Sequence, residues 1–193
     1  FATEVTVNNI RVAILAFAAG ILLCVPAAFL LVYNGANVGV AGGVFVYAGE
    51  ADKFFGLILP HGLLELSAIV VAGAAGLRLG WTVIAPGDRT RADALAEEGR
   101  RSVVIVLGLF LAFVVAGLIE GFVTGSGLPT WARVGIGVLV LTSAVLWVVV
   151  QGRRAAARGI TGLMGEGEHR TWADLASPEP TPSAQLVAPD GFA

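Results

Sequence analysis

The stretch LPHGLLELSAIVVAGAAGLRLG, residues 59–80, has the length and apolar content of a membrane-crossing helix, yet it carries a proline and two ionisable side chains near its start. A bilayer core of ~30 Å is crossed by roughly 20 helical residues. His61 and Glu65 are one helical turn apart, at positions i and i+4 of one face. Because a carboxylate inside a bilayer is costly, the stretch predicts a helix whose polar face meets other helices.

The composition is that of an integral membrane protein. Of the 193 residues, 56% are hydrophobic and 13% are charged, and the mean hydropathy is +0.84. The net charge of -2 and the lack of a basic tract give no indication of nucleic-acid binding. The single Cys24 cannot form a disulfide framework. The absence of an initiator Met predicts an N-terminally truncated chain, and no cleavable signal peptide is recognised.

Long apolar runs predict an all-α, polytopic membrane bundle with four full spans and a re-entrant or interfacial helix pair. The predicted spans are about residues 10–33, 61–84, 102–124 and 132–151, and the half-helices lie at about 35–59. Pro26 is expected to kink the first span without ending it. Residues 1–151 would form the transmembrane domain, and 152–193 a flexible cytoplasmic tail.

Arginines predict the orientation, because positive residues mark the cytoplasmic side. The residues predicted to contact lipids or cytoplasmic partners are Arg78, Arg89, Arg91, Arg100 and Arg101. All but Arg78 lie in the segment 85–101, which reads as a short amphipathic helix, and Arg78 should reach headgroups or pair with its acidic residues. The protein is therefore expected in the bacterial inner (plasma) membrane with its C-terminus cytoplasmic. Four spans place the N-terminal end on the same side, unless residues 35–49 also cross.

This topology places four polar residues at one depth in the outer leaflet. They are His61, Glu65, Glu120 and Asn34. Three interpretations stay open: pairing that locks the helices together, binding of an ion, proton or small solute by a transporter or channel component, and a metal site. The possible metal ligands are His61, Glu65 and Glu120, one fewer than many zinc sites have. With no HExxH motif and no Ser-Lys pair, neither enzyme activity nor a cofactor is predicted.

Small residues form a stripe along the second predicted span. They are Ala68, Ala72, Gly73, Gly76 and Gly80. Small residues at this spacing let another helix approach closely. Packing within the chain is the favoured interpretation, and a homodimer is the alternative.

Several motifs together resemble the stage II sporulation protein M family. They are NNIRVAILAFAAGILL, the turn YNGANVG, the stretch at 59–80, and GLIEGF at the end of the third span. The most specific block consists of Pro60, His61, Gly62, Glu65 and Ala68. Asn8, Asn9, Asn34, Gly35 and Glu120 also fit, so the resemblance covers roughly residues 5–150.

The resemblance implies an integral membrane scaffold or assembly factor in cell-envelope remodelling. It also implies partners among other membrane or cytoplasmic proteins, such as an AAA-type ATPase or envelope-remodelling proteins. The abundance of Ala, Gly, Val and Arg with little Lys is typical of high-GC bacteria such as actinobacteria, so a literal role in sporulation is not expected.

Overall fold

The computed structural model describes residues 2–160, and within them every regular element is helical. The helices are α1 (Ala2–Gly20), α2 (Val25–Tyr47), α3 (Ala51–Ile84), α4 (Arg91–Ile119) and α5 (Thr130–Ala157), and a π-helical turn (Glu120–Thr124) continues α4. Four of these helices, α2 to α5, are long and apolar enough to cross a membrane. The predicted all-helical class and the number of such helices are therefore confirmed.

The predicted first span, residues 10–33, is wrong as a single helix. The chain reverses between α1 and α2, where Leu23 and Cys24 take positive φ values of 57° and 70°. Pro26 lies in the first turn of α2, a position that tolerates its missing N–H and fixed φ. Hydropathy continues through the break, so the sequence pattern alone did not reveal it.

The predicted half-helices at about 35–59 are also wrong. Residues 35–47 continue α2, which ends at Tyr47 and is followed by Gly49 with a φ of 75°. The Glu50 N–H donates to the Phe45 carbonyl at 2.8 Å, and the Gly49 N–H donates to Val46 at 3.0 Å. This pair of bonds closes the helix as a Schellman motif, for which glycine suits the left-handed position.

The central helix, α3, begins ten residues before the predicted start at residue 61 and contains 34 residues. At 1.5 Å per residue it is about 51 Å long. It runs through buried Pro60, whose ring removes one backbone hydrogen bond to the carbonyl of Gly56. A Cβ on Gly56 would lie 2.9 Å from the Thr130 side chain, so α5 packs closely beside this weakened turn.

Helices α1, α3 and α5 run parallel, and α2 and α4 run in the opposite direction. Thr6 of α1 contacts Glu65, whereas Gly20 at its other end contacts Gly76. The predicted placement of the N-terminal end on the same side as residues 85–101 is therefore wrong. The error follows from the chain reversal after Gly20, which makes α2 a separate full-length helix and adds one reversal to the predicted path.

The stripe of small residues on α3 packs within the chain. Gly76 and Gly80 lie against the backbone of α1, and Gly73 lies against Leu31 of α2. Ala68 and Ala72 pack in an apolar core with Ala13, Ile69 and Phe113. Because a Cβ at Gly76 or Gly80 would collide with main-chain atoms of α1, these glycines permit the closest helix contact in this region.

The remaining predicted boundaries shift outward. The segment 85–101, predicted as a short separate helix, is not one: its residues 91–101 form the first turns of α4, and the Thr90 side chain caps them by accepting the Asp93 N–H at 3.2 Å. Helix α5 extends to Ala157, so the boundary predicted between residues 151 and 152 falls inside it. The rest of the predicted tail, residues 161–193, lies outside the described residues.

Candidate functional site

A buried polar cluster lies where α3 meets the end of α4. His61 is 3% exposed, and Glu120 and Thr124 are 5% and 4% exposed. The His61 Nδ1 contacts Glu120 Oε2 and lies 3.3 Å from Thr124 Oγ1. Both partners belong to the π-helical turn, whose wider spacing is common at functional sites. The turn thus presents a carboxylate and a hydroxyl to the same ring nitrogen.

Glu65 forms a second link, between α3 and α1. Its side chain is fully buried at 0% exposure. Thr6 Oγ1 donates to one carboxylate oxygen at 3.3 Å, and Asn9 Nδ2 donates to the other. Although His61 and Glu65 share a face of α3, His61 bonds to α4 and Glu65 bonds to α1. The two residues therefore tie α3 to two different helices.

Arg133 connects α5 to the same region. Its guanidinium donates to the Thr124 carbonyl at 2.8 Å and to Thr130 Oγ1 at 3.2 Å. The carbonyl at the end of a helical turn lacks an intrahelical donor, so the arginine satisfies an otherwise open acceptor. Thr124 therefore faces His61 with its hydroxyl and Arg133 with its backbone.

Asn34 lies in the middle of α2, not at the outer end of a span as predicted. It is half-buried and lines an open cleft of about 260 Å³ together with His61, Asn8, Asn9 and Asn37. The structure thus brings all four predicted pocket residues to one region. His61, Glu65 and Glu120 are buried, whereas Asn34 faces the cleft beside them.

The possible metal ligands do not converge. Among residues 2–160, no three His, Cys, Asp or Glu side chains are grouped so as to hold a metal ion. His61 presents Nδ1 to Glu120, whereas the oxygens of Glu65 are bound by Thr6 and Asn9 on the α1 side. Because these three side chains point to different partners, they do not come together as ligands of one metal ion.

The predicted arginine contacts lie at the other end of α3. Arg78 pairs with buried Glu98 at 2.6 Å, while Arg89 and Arg101 pair with Glu97 at 2.5 and 3.0 Å. Arg91 donates to the Val83 carbonyl at 3.2 Å, and Arg100 is exposed. Arg78 and Arg89 therefore join α3 and the connecting loop to α4 through ion pairs, whereas the ion pairs of Arg101 lie within α4.

Sequence reasoning did not assign Thr6, Asn9, Thr124 or Arg133 to the site. Asn9 carried a usable signal, because an amide in an apolar run requires a partner. Arg133 carried one too, since it begins an apolar helix. The threonines carried none, because a hydroxyl is common on any helix and can bond to its own backbone.

The sequence matches the stage II sporulation protein M family over residues 1–125. It is 30% identical over 123 residues to a Methanocaldococcus jannaschii protein with the name uncharacterized protein MJ0793, covering 63% of this chain and 69% of that protein. It is 28% identical over 121 residues to uncharacterized protein MJ0706 of the same organism, covering 61% of this chain and about half, 52%, of that protein. No solved structure matches the chain.

The family match contains α1 to α4 and the π-helical turn, and thus His61, Glu65, Glu120 and Asn34. Only α5 among the described helices lies beyond it. These are the same residues on which the resemblance in the sequence rests. The chain belongs to the stage II sporulation protein M family.

Proposed function

We propose that this protein is a non-enzymatic membrane scaffold or assembly factor in cell-envelope remodelling. The observation that carries the proposal is the internal pairing of the ionisable side chains within the apolar helices. His61 contacts Glu120 and lies within hydrogen-bond distance of Thr124, and Glu65 is hydrogen-bonded to α1, so these groups hold helices together. Polar contacts between helices are a common means of fixing their arrangement in lipid.

The surfaces left to partners support the same role. Helix α5 packs against α3 but has a single buried residue, Gly137, and exposes Leu139, Leu146 and Trp147. Helix α2 also presents a largely exposed apolar face. Such faces can meet lipid or the helices of a membrane partner. At the arginine-bearing end, the exposed Arg100 is available to a cytoplasmic protein, for which the family resemblance suggests an AAA-type ATPase.

A complementation experiment tests the proposal. A transporter or an enzyme that uses the cluster needs its titratable groups, whereas a scaffold needs only the arrangement of the helices. In a bacterium whose own copy is deleted, we expect the folded double variant His61→Leu/Glu120→Leu to restore the envelope phenotype, because two leucines can fill the same buried space without leaving a lone charge.

The matched variant alters a partner-facing surface and leaves the cluster intact. Replacing Leu139 and Leu146 by serine should abolish complementation by a scaffold while the protein is still inserted and folded. The opposite pattern, failure of the folded double variant and full activity of the surface variant, would reject the scaffold and favour a transport role for the cluster. Membrane abundance and thermal unfolding of each purified variant serve as controls.

A further inference from the structure

The open cleft beside the buried cluster has a lining that suits a ligand. Helix α1 contributes Asn8 and Asn9, α2 contributes Asn34 and Asn37, and α3 contributes His61. Four carboxamides and an imidazole converge on about 260 Å³ within an otherwise apolar bundle. This volume is slightly below the roughly 300–1,000 Å³ of sites that take drug-sized molecules, so it suits one small chemical group.

Several hydrogen-bonding atoms in the cleft have no protein partner. Within residues 2–160, the carboxamides of Asn8 and Asn34 make no hydrogen bond. Asn37 donates through Nδ2 to the Tyr33 carbonyl, which leaves its Oδ1 as an acceptor. Asn9 donates through Nδ2 to Glu65, which likewise leaves its Oδ1. The cleft therefore offers both donors and acceptors.

The imidazole of His61 is oriented for binding. Its Nδ1 contacts Glu120 and Thr124, and His61 is also among the residues that line the cleft. A carboxylate that accepts the Nδ1 proton fixes the tautomer in which Nε2 is the acceptor. Nε2 is then the ring nitrogen available to a hydroxyl or amide donor in the cleft.

The lining also restricts the charge of the ligand. In the described part of the chain, residues 2–160, no Asp, Glu, Lys or Arg side chain lines the cleft, and a pair of such residues, Glu4 and Arg11, lines an adjoining hollow that shares Asn8. Glu65 lies behind Asn9 and accepts its amide proton. Within the cleft lining itself, an anionic headgroup would find no cationic partner of the kind that phosphate binding normally uses, and Arg11 in the adjoining hollow is accompanied by the carboxylate of Glu4. An uncharged group with several hydroxyls or amides fits the donors and acceptors that are present.

The cleft continues into the apolar surface of α2. Val38 and Ala41 line it, and Tyr33 and Phe29, which follow along α2 toward its start, are 57% and 65% exposed. A molecule with a polar head in the cleft can therefore lay an apolar chain along α2 in the bilayer. From the amide lining, the lack of charge, the size and this continuity, we propose that the cleft binds an uncharged polyhydroxyl group, as in the headgroup of a neutral glycolipid.

Native mass spectrometry of the full chain tests this proposal in a detergent without a sugar headgroup. The probes are monoglucosyl diacylglycerol, phosphatidylcholine, phosphatidylglycerol and free glucose. We expect one glucolipid per chain, bound about fivefold or more tightly than either phospholipid, a factor equivalent to one hydrogen bond of ordinary strength. Binding of free glucose at the same site would also support the proposal. It would show that the bound polyhydroxyl group comes from a free sugar and not from a lipid headgroup.

Three variants connect binding to the cleft. Asn34→Leu removes one carboxamide, and Ala41→Phe fills the cleft without removing any polar group; each should lower glucolipid binding about fivefold or more, a factor equivalent to one lost hydrogen bond. Ala28→Phe adds the same ring to an exposed position of α2, away from both the cleft lining and the face proposed to carry the apolar chain, and should leave binding unchanged. Thermal unfolding of Ala41→Phe and Ala28→Phe shows whether both retain the fold.

Equal binding of all four probes, preference for a phospholipid, or equal loss in Ala41→Phe and Ala28→Phe would overturn the proposal. So would a change in oligomeric mass in Ala41→Phe with unchanged lipid binding, because the cleft would then be a contact between protein helices.

Discussion

At the scale of single residues, Glu65 provides a sensitive test of a structural role. It is fully buried, and its two oxygens accept hydrogen bonds from Thr6 and Asn9. Glu65→Gln retains an oxygen for Thr6, and the Asn9 carboxamide can turn to present its own oxygen to the new amide. We expect a loss in the free energy of unfolding of about 1 kcal/mol or less, measured by thermal unfolding in detergent.

Glu65→Leu is the contrasting change. It leaves two donors of α1 without an acceptor, and we expect a loss of about 2–3 kcal/mol. Equal destabilisation by glutamine and leucine would mean that the charge of Glu65, and not its hydrogen bonding, holds α1 in place.

His61 and Glu120 form a pair whose members should be strongly coupled. His61→Leu removes the ring that contacts the Glu120 carboxylate and leaves this group buried, for an expected loss of about 3–5 kcal/mol. Glu120→Leu should be milder, because a neutral imidazole can still bond to Thr124. The double variant should lose less than the sum of the two, as a double-mutant cycle of thermal unfolding would measure. Additive losses would show that the pair contributes no coupling.

At the scale of helices, the contact between α1 and α3 depends on glycine. A Cβ at Gly76 would collide with the Phe17 carbonyl and with the main chain of Ala16. We expect Gly76→Ala to destabilise the protein by about 1–3 kcal/mol, because two packed backbones cannot easily move apart. Thermal unfolding of the purified variant measures this loss.

Gly108 of α4 provides the matched control. Its Cβ would meet no atom within 4 Å, so Gly108→Ala should be neutral or stabilising by about 0.5–1 kcal/mol through helix propensity. The same response at both positions would show that close approach of α1 is not what requires a glycine at residue 76.

At the scale of the whole molecule, the helix directions predict which loops share a side. The loop 85–90 and the turn 21–24 lie at one end of the bundle, and the turn 48–50 and the loop 125–129 lie at the other. From the arginine distribution, we propose that the first end is cytoplasmic. In a Cys24→Ser background, Ser126→Cys should react with a membrane-impermeant thiol reagent in intact cells, and Asp88→Cys should react only after lysis. Reversed labelling would invert the orientation, and labelling of both before lysis would contradict the span assignment.

The sequence by itself determined the class of this protein, the presence of four membrane-length helices and the three ionisable residues, His61, Glu65 and Glu120, that are buried among them. These properties depend on local composition, because apolar length and an isolated charge can be read without knowing any contact. The family resemblance followed from the same residues.

The tertiary structure alone decided where the chain reverses and which side chains pair. The reversal after Gly20 lies inside a continuous apolar run and depends on close packing of that glycine against Gly76. The choice of Glu120 over Glu65 as the partner of His61 depends on the rotation of α3 relative to α4 and on the π-helical turn. A buried polar group needs a hydrogen-bonding or charged partner, and any such group within reach can serve. Hydropathy therefore does not indicate how α3 is rotated or which partner each side chain meets.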